Sequence, residues 1–142
     1  MSHDDCLFCK IIAGEIPSAK VYEDDEVYAF LDISQVTTGH TLIIPKQHTE
    51  NIYETNENIA AALFARVPKV ANAIKKAFKP KGMNLLNNNG EFASQSVFHI
   101  HIHLIPRYDE TDGFDLKWVP RNDAFSGDDL AKIAADIKKE LP

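Results

Sequence analysis

Residues 97–106 read VFHIHIHLIP, so His99, His101 and His103 alternate with Ile100, Ile102 and Leu104. In an extended chain, residues two apart share a face at a spacing of about 6.8 Å. The alternation predicts a strand with Val97 and three imidazoles on one side, and Phe98, Ile100, Ile102 and Leu104 against a core. A merely polar strand face would mix in Lys, Glu or Thr. Three histidines in register point instead to chemistry, of which two kinds fit. A neutral imidazole nitrogen binds metal ions. It also attacks phosphorus as a nucleophile and forms a covalent intermediate. Zinc hydrolases built on His-x-His often continue with an Asp-His pair or a nearby Glu, whereas Leu104-Ile105 follow here.

A second constellation is Cys6-Leu7-Phe8-Cys9. A thioredoxin-like redox pair stands at a helix start after a strand, and the five residues before Cys6 leave no room for one. Two thiolates can be half of a tetrahedral zinc site, which then needs two further ligands. His3 near the N-terminus receives no role.

The bulk properties narrow the partners. The chain has 142 residues, a net charge of −6, 44% hydrophobic and 25% charged residues, as expected of one ordinary globular domain. Acids cluster at Asp4-Asp5, Asp24-Asp25-Glu26 and Asp128-Asp129, a surface that repels long DNA or RNA while leaving room for a small nucleotide in a local pocket. No apolar run approaches a membrane span and the N-terminus does not read as a signal peptide, so the expectation is a cytoplasmic protein without a membrane partner. In that reducing setting the two cysteines read as thiols, metal ligands or redox groups rather than a disulfide.

The elements that must position these residues follow from periodicity and breakers. Residues 4–14 predict a short helix ending at Gly14, with Asp4 and Asp5 placed for its dipole. Lys20–Glu23 and Glu26–Asp32 read as strands joined by a hairpin at Asp24-Asp25, and His40–Pro45 as a third strand after the turn at Gly39. Ile59, Leu63, Val67, Val70, Ile74 and Phe78 mark a long amphipathic helix over Glu57–Phe78, in which Pro68 should make a kink or boundary. Met83–Asn87 predicts a strand, and residues 107–125 an irregular stretch. Ser126 and Asp129 resemble a capping box for a helix over 126–141, whose buried stripe would be Leu130, Ile133, Ile137 and Leu141. Trp118 and most of the eight phenylalanines are expected in the core. Strands adjacent in sequence with segregated helices argue an α+β fold with a largely antiparallel sheet.

The stretch His99-Ile100-His101-Ile102-His103-Leu104-Ile105 resembles the histidine triad motif of the HIT family of nucleotide-binding proteins. Leu31-Asp32-Ile33-Ser34, the run from Gly39 through Pro45-Lys46-Gln47-His48, and Asn88 to Ser96 are similar to that family in the same order. The resemblance runs from Cys6 to about Arg107 and is strongest to bacterial members near the nucleoside phosphoramidase branch. It implies a single HIT-like domain over residues 1–142, with a core at 1–106 and a C-terminal extension at 107–142. The sheet would have five strands, and two copies would pair into a homodimer with a continuous sheet. The interface is expected on the helix Glu57–Phe78 and the neighbouring strand edge.

The implied activity is hydrolysis at the α-phosphate of small purine nucleotides, such as phosphoramidates or adenylates. It would pass through a nucleotidyl intermediate on His101 and release a nucleoside monophosphate. By the same resemblance His103 and His40 hold phosphate oxygens, Ser96 helps the leaving group, Asp32 accepts from the ribose hydroxyls, and Asn88 and Gln95 lie near the phosphates. Phe8 and Ile33 would line the base pocket. Cys6, Cys9, His48 and His99 would hold one structural zinc per chain, giving His99 a role distinct from His101. The family usually carries glycine two residues before the position of Ser96; Ser94 stands there, which should restrict the backbone's approach to phosphate. Three alternatives stand beside this reading: a dinucleoside polyphosphate hydrolase, a non-catalytic nucleotide sensor, and a hydrolase using the triad to hold catalytic zinc.

Overall fold

The computed structural model describes residues 5–142, so His3 and Asp4 lie outside the described residues. The elements are α1 (Leu7–Ile12), β1 (Lys20–Glu23), β2 (Val27–Leu31), β3 (Thr41–Pro45), α2 (Glu57–Phe78), β4 (Gly82–Leu86), β5 (Ile102–Arg107) and α3 (Gly127–Lys139), with single 3-10 turns at Ile52–Glu54 and Glu91–Ala93. The five strands form one sheet in the order β1-β2-β3-β5-β4, and every neighbouring pair is antiparallel. This is the expected α+β architecture.

Local chemistry explains the hairpin. Asp24 Oδ1 accepts from the N–H groups of Glu26 and Val27 at 2.8 and 2.9 Å, which closes the β1–β2 turn. Arg66 on α2 reaches the same carboxylate at 2.9 Å, tying the turn to the helix. Alternation along the strands then builds two cores. On one face Val27, Ala29, Ile43, Ile102 and Leu104 pack against Leu63, Val67, Val70 and Ile74 of α2. On the other, Tyr28, Phe30, Leu42 and Ile44 pack against Phe8 and Ile11 of α1. Each such side chain fully buried contributes about 1.5–3 kcal/mol.

Several expectations are corrected. The helix α2 continues through Pro68, which is therefore not a boundary. Phe64, whose carbonyl loses its donor there, and Pro68 itself are exposed residues, and the buried face of Leu63, Val67 and Val70 packs on the sheet and holds the helix. The histidine strand begins at Ile102 rather than at Val97. The Ile100 N–H donates to the Thr49 carbonyl at 2.7 Å, so residues 97–101 follow the segment after β3 instead of pairing in the ladder. Phe98 is therefore 39% exposed rather than in the core. Ser126 and Asp129 do form a capping box, but Leu130, Ile133, Ile137 and Leu141 are all exposed. Among the described residues no element covers that stripe. Trp118 is likewise 77% exposed, since residues 115–125 lie on the surface.

Beyond β5 the chain folds back onto the loop that precedes β3. Tyr108 Oη donates to the Thr38 carbonyl at 2.6 Å, and Arg107 joins Asp112 at 3.0 Å. A Cβ at Gly113 would lie 2.7 Å from the Val36 carbonyl oxygen, closer than side chains approach backbone. Replacing Gly113 by alanine is expected to lower stability by about 1–3 kcal/mol, read as a drop in the thermal midpoint. An unchanged midpoint would mean that this contact does not hold the loop.

Candidate active site and metal site

The sheet's register sets the three histidines apart in position. His103 lies in β5 opposite Leu42, whereas His99 and His101 stand just before the strand. The side chains of His99 and His101 are buried, and that of His103 is partly exposed. Phe8 from α1 packs edge-on against His99 and His101, with ring centroids 5.9 and 5.1 Å apart, and so braces both rings.

Hydrogen bonds assign the proton on each ring. His101 Nδ1 lies 2.8 Å from the His99 carbonyl, an acceptor only, so Nδ1 carries the proton and Nε2 carries the lone pair. The Val36 N–H donates to His40 Nδ1 at 3.3 Å, leaving the proton on His40 Nε2. That nitrogen lies 2.9 Å from His103 Nδ1 and donates to it, which places the His103 proton on Nε2. The His99 carbonyl thus leaves a lone pair on His101 Nε2 and the relay leaves a donor on His103, the two rings lying 5.0 Å apart. Asp32 Oδ2 lies 3.7 Å from His40 Nε2, and its Oδ1 accepts from the Ser34 N–H at 2.8 Å.

Electrostatics keep the rings neutral. Burial lowers the pKa of His101, opposed by the His99 carbonyl and Asp32. His103 is pushed down to about 4, first by burial and then by the neighbouring His101 and His40. His40 is lowered by burial, opposed by Asp32. Neutral imidazole is the form that attacks an electrophile.

The loop from Asn87 to Ser96 is held by its own side chains. Gln95 is buried; its Nε2 donates to the carbonyls of Glu50 and Val97 at 2.7 and 3.1 Å, and its Oε1 accepts from the Gly90 N–H. Asn88 Nδ2 reaches the Ser94 carbonyl at 3.4 Å. Ser96 is exposed beside the buried Gln95. Ser94 takes φ +73°, the left-handed conformation glycine adopts without cost. Replacing Ser94 by glycine is expected to raise stability by about 0.5–1 kcal/mol, read by chemical denaturation. A loss of stability would show that the serine side chain compensates the strain. Ile33 is 98% exposed next to Asp32.

The cysteines meet two other histidines. Cys6, Cys9, His48 and His99 offer ligand atoms that all lie within 4.8 Å of one another. His99 Nδ1 is 3.4 Å from Cys6 Sγ and 3.6 Å from Cys9 Sγ, and His48 Nδ1 is 3.4 Å from Cys9 Sγ. In a tetrahedron with Zn–S of about 2.3 Å and Zn–N of about 2.1 Å, the S···N edge is about 3.6 Å, so this donor set fits zinc. His99 Nε2 donates to the Pro45 carbonyl at 2.7 Å, which turns Nδ1 toward the thiols. An open cleft of about 810 Å³ lies on this side, lined by Cys6, His48, Glu50, Ser96 and Phe98. His101 and His103 do not line it, so its size is no guide to where a reaction would occur.

Sequence reasoning missed groups that act through the backbone. Asn87, not singled out beforehand, donates from Nδ2 to the His101 carbonyl at 3.0 Å. The amide of Val36 and the carbonyls of Pro45 and His99 set the histidine tautomers, and no residue type announces them.

Comparison with known proteins agrees with this geometry. Residues 13–110 match the HIT domain family. A crystal structure of a HIT family member from Bacillus subtilis superposes with a TM-score of 0.95 at 58% identity, covering 97% of this chain and 98% of that one. Adenosine 5'-monophosphoramidase HNT1 of Candida albicans is 39% identical over 144 residues, spanning 99% of this chain and 93% of that protein. The structure of a zinc-bound histidine triad family protein from Mycobacterium smegmatis has a TM-score of 0.74 at 32% identity, over 97% of this chain and 99% of that one. With the triad, its antiparallel sheet and the family match in agreement over most of its length, the chain belongs to the HIT domain family.

Proposed function

We propose that the protein is a nucleotidyl hydrolase acting on the α-phosphate of small purine nucleotides, nucleoside phosphoramidates or adenylates among them. The observation that carries this reading is the tautomer of His101, whose Nδ1 is committed to the His99 carbonyl so that Nε2 is a neutral nucleophile. His101 Nε2 attacks the α-phosphorus and the bond to the leaving amine or oxygen breaks. The leaving group takes a proton from solvent, passed by the Ser96 hydroxyl. Water then attacks phosphorus, the P–Nε2 bond breaks, a proton returns to solvent, and the nucleoside monophosphate leaves. Across both steps His103 donates from Nε2 to a phosphate oxygen as charge develops.

Asp32 accepts from the ribose hydroxyls, and the exposed Ile33 beside it meets the base. Phe8 acts from beneath, as a brace for the His101 ring. Gln95 and Asn88 shape the loop that carries Ser96. Cys6, Cys9, His48 and His99 hold one zinc ion, which supplies a cross-link between α1 and the sheet rather than a step in the reaction. The active unit is a cytoplasmic homodimer. Exposed Phe64 and Phe78 on α2 and Leu85 on the edge strand β4 support an interface there. The relative from Candida albicans, by its name, acts on an adenosine monophosphoramidate and supports this substrate class.

The test is AMP release from adenosine phosphoramidate by the purified protein. Catalytic turnover supports the hydrolase. Binding of AMP without turnover favours the nucleotide sensor instead.

A further inference from the structure

Gln35 lies in the loop between Asp32 and His40 and spends one side-chain amide on both ends of it. Its Nε2 donates to the Asp32 carbonyl at 2.7 Å and to the His40 carbonyl at 2.6 Å, and its Oε1 accepts from the Gly39 N–H at 2.9 Å. Both donors and the acceptor are thus used on the backbone of one short segment, and only one orientation of the amide satisfies all three partners. The Asp32 N–H also donates to the His40 carbonyl at 3.1 Å, so the strap closes the loop where its two ends already meet. The residue after Gln35 is Val36, whose N–H sets the proton on His40 and through it the donor on His103.

We propose that Gln35 is a positioning residue that locks the ribose-side Asp32 and the phosphate-side His40–His103 relay into one unit. The proposal rests on the roles given above to Asp32 and His103. Gln35 touches no reacting atom. It fixes the backbone that carries Asp32 at one end and His40 at the other, and it holds the adjacent Val36 amide on His40 Nδ1. A nucleotide bound through its ribose is then presented to the phosphate donor in one geometry, and small displacements in such a pair are costly to rate.

The variant to make is Gln35→Glu. It keeps the size of the side chain, removes both N–H donors and sets a carboxylate against two carbonyl oxygens. Three readouts go with it: 15N chemical shifts of His40 and His103, affinities for AMP and 2′-deoxy-AMP, and kcat and KM for adenosine phosphoramidate. The expected result is altered tautomer signals on both rings, a smaller ratio of AMP to 2′-deoxy-AMP affinity, and kcat/KM lower by about tenfold to a hundredfold. Gln35→Ala, which lets water replace the amide, should show the same changes in smaller measure. A lower thermal midpoint with unchanged 15N signals and an unchanged affinity ratio would overturn the proposal and leave Gln35 a stabilising residue only. If the wild-type protein lacks turnover, the hydrolase reading falls, while the 15N signals and the affinity ratio still decide the role of Gln35.

Discussion

The His101→Ala variant is expected to lose AMP release from adenosine phosphoramidate by about 10⁴-fold or more while keeping its fold and its affinity for AMP. The magnitude follows from the role. A residue that forms the bond to phosphorus has no substitute within the site, since the donor of His103 and any ribose contacts bind substrate without opening a path to product. His103 cannot take over as nucleophile, because its Nδ1 receives the His40 proton and its Nε2 carries one. Alanine at His101 leaves a small cavity against Phe8, so some loss of thermal stability accompanies the loss of activity. Circular dichroism and AMP binding separate the two effects. Turnover equal to that of the wild type would remove His101 from the mechanism, and with it the covalent intermediate.

The second large effect is expected at the cysteine site. The wild-type protein should carry one zinc per chain by elemental analysis, and Cys9→Ala should lose it. Binding of a structural metal is part of folding free energy, so the thermal midpoint of the variant should fall by on the order of 10 °C. Activity should fall as well, through a backbone group. The His99 ring is seated between the thiols and the Pro45 carbonyl, and the His99 carbonyl holds the proton on His101 Nδ1. A His99 freed to shift carries the orientation of the nucleophile with it. Removal of the zinc by chelator should lower turnover only together with the thermal midpoint, as in the Cys9→Ala variant. Immediate loss of activity on chelation at an unchanged midpoint would place the metal in the reaction and revive the zinc hydrolase reading.

The hairpin at Asp24, the helix α2 and the cap of α3 were legible because each rests on local chemistry: an aspartate turn, a 3.6-residue apolar period and a capping box. Pro68 does not end the helix, because the packing of the buried face offsets its local cost. The stripe on α3 misled. Periodicity reports that a face is apolar, and nothing in it says which body will cover that face.

At the candidate site, residue types and spacing nominated His99, His101, His103 and the two cysteines, and the family resemblance added His40, Asp32, Ser96, Asn88, Gln95, Phe8, Ile33 and His48. Spacing of two in a strand and of three in a helix is short-range information, carried by the chain itself. Tertiary structure decided the rest. It ended the ladder at Ile102, brought His48 and His99 to the thiols from 39 and 93 residues away in sequence, and aimed three imidazoles by backbone partners. Those partners are the Val36 amide and the His99 and Pro45 carbonyls, groups nearly every residue possesses. Tautomer is therefore a property of the folded backbone, and side-chain identity cannot encode it.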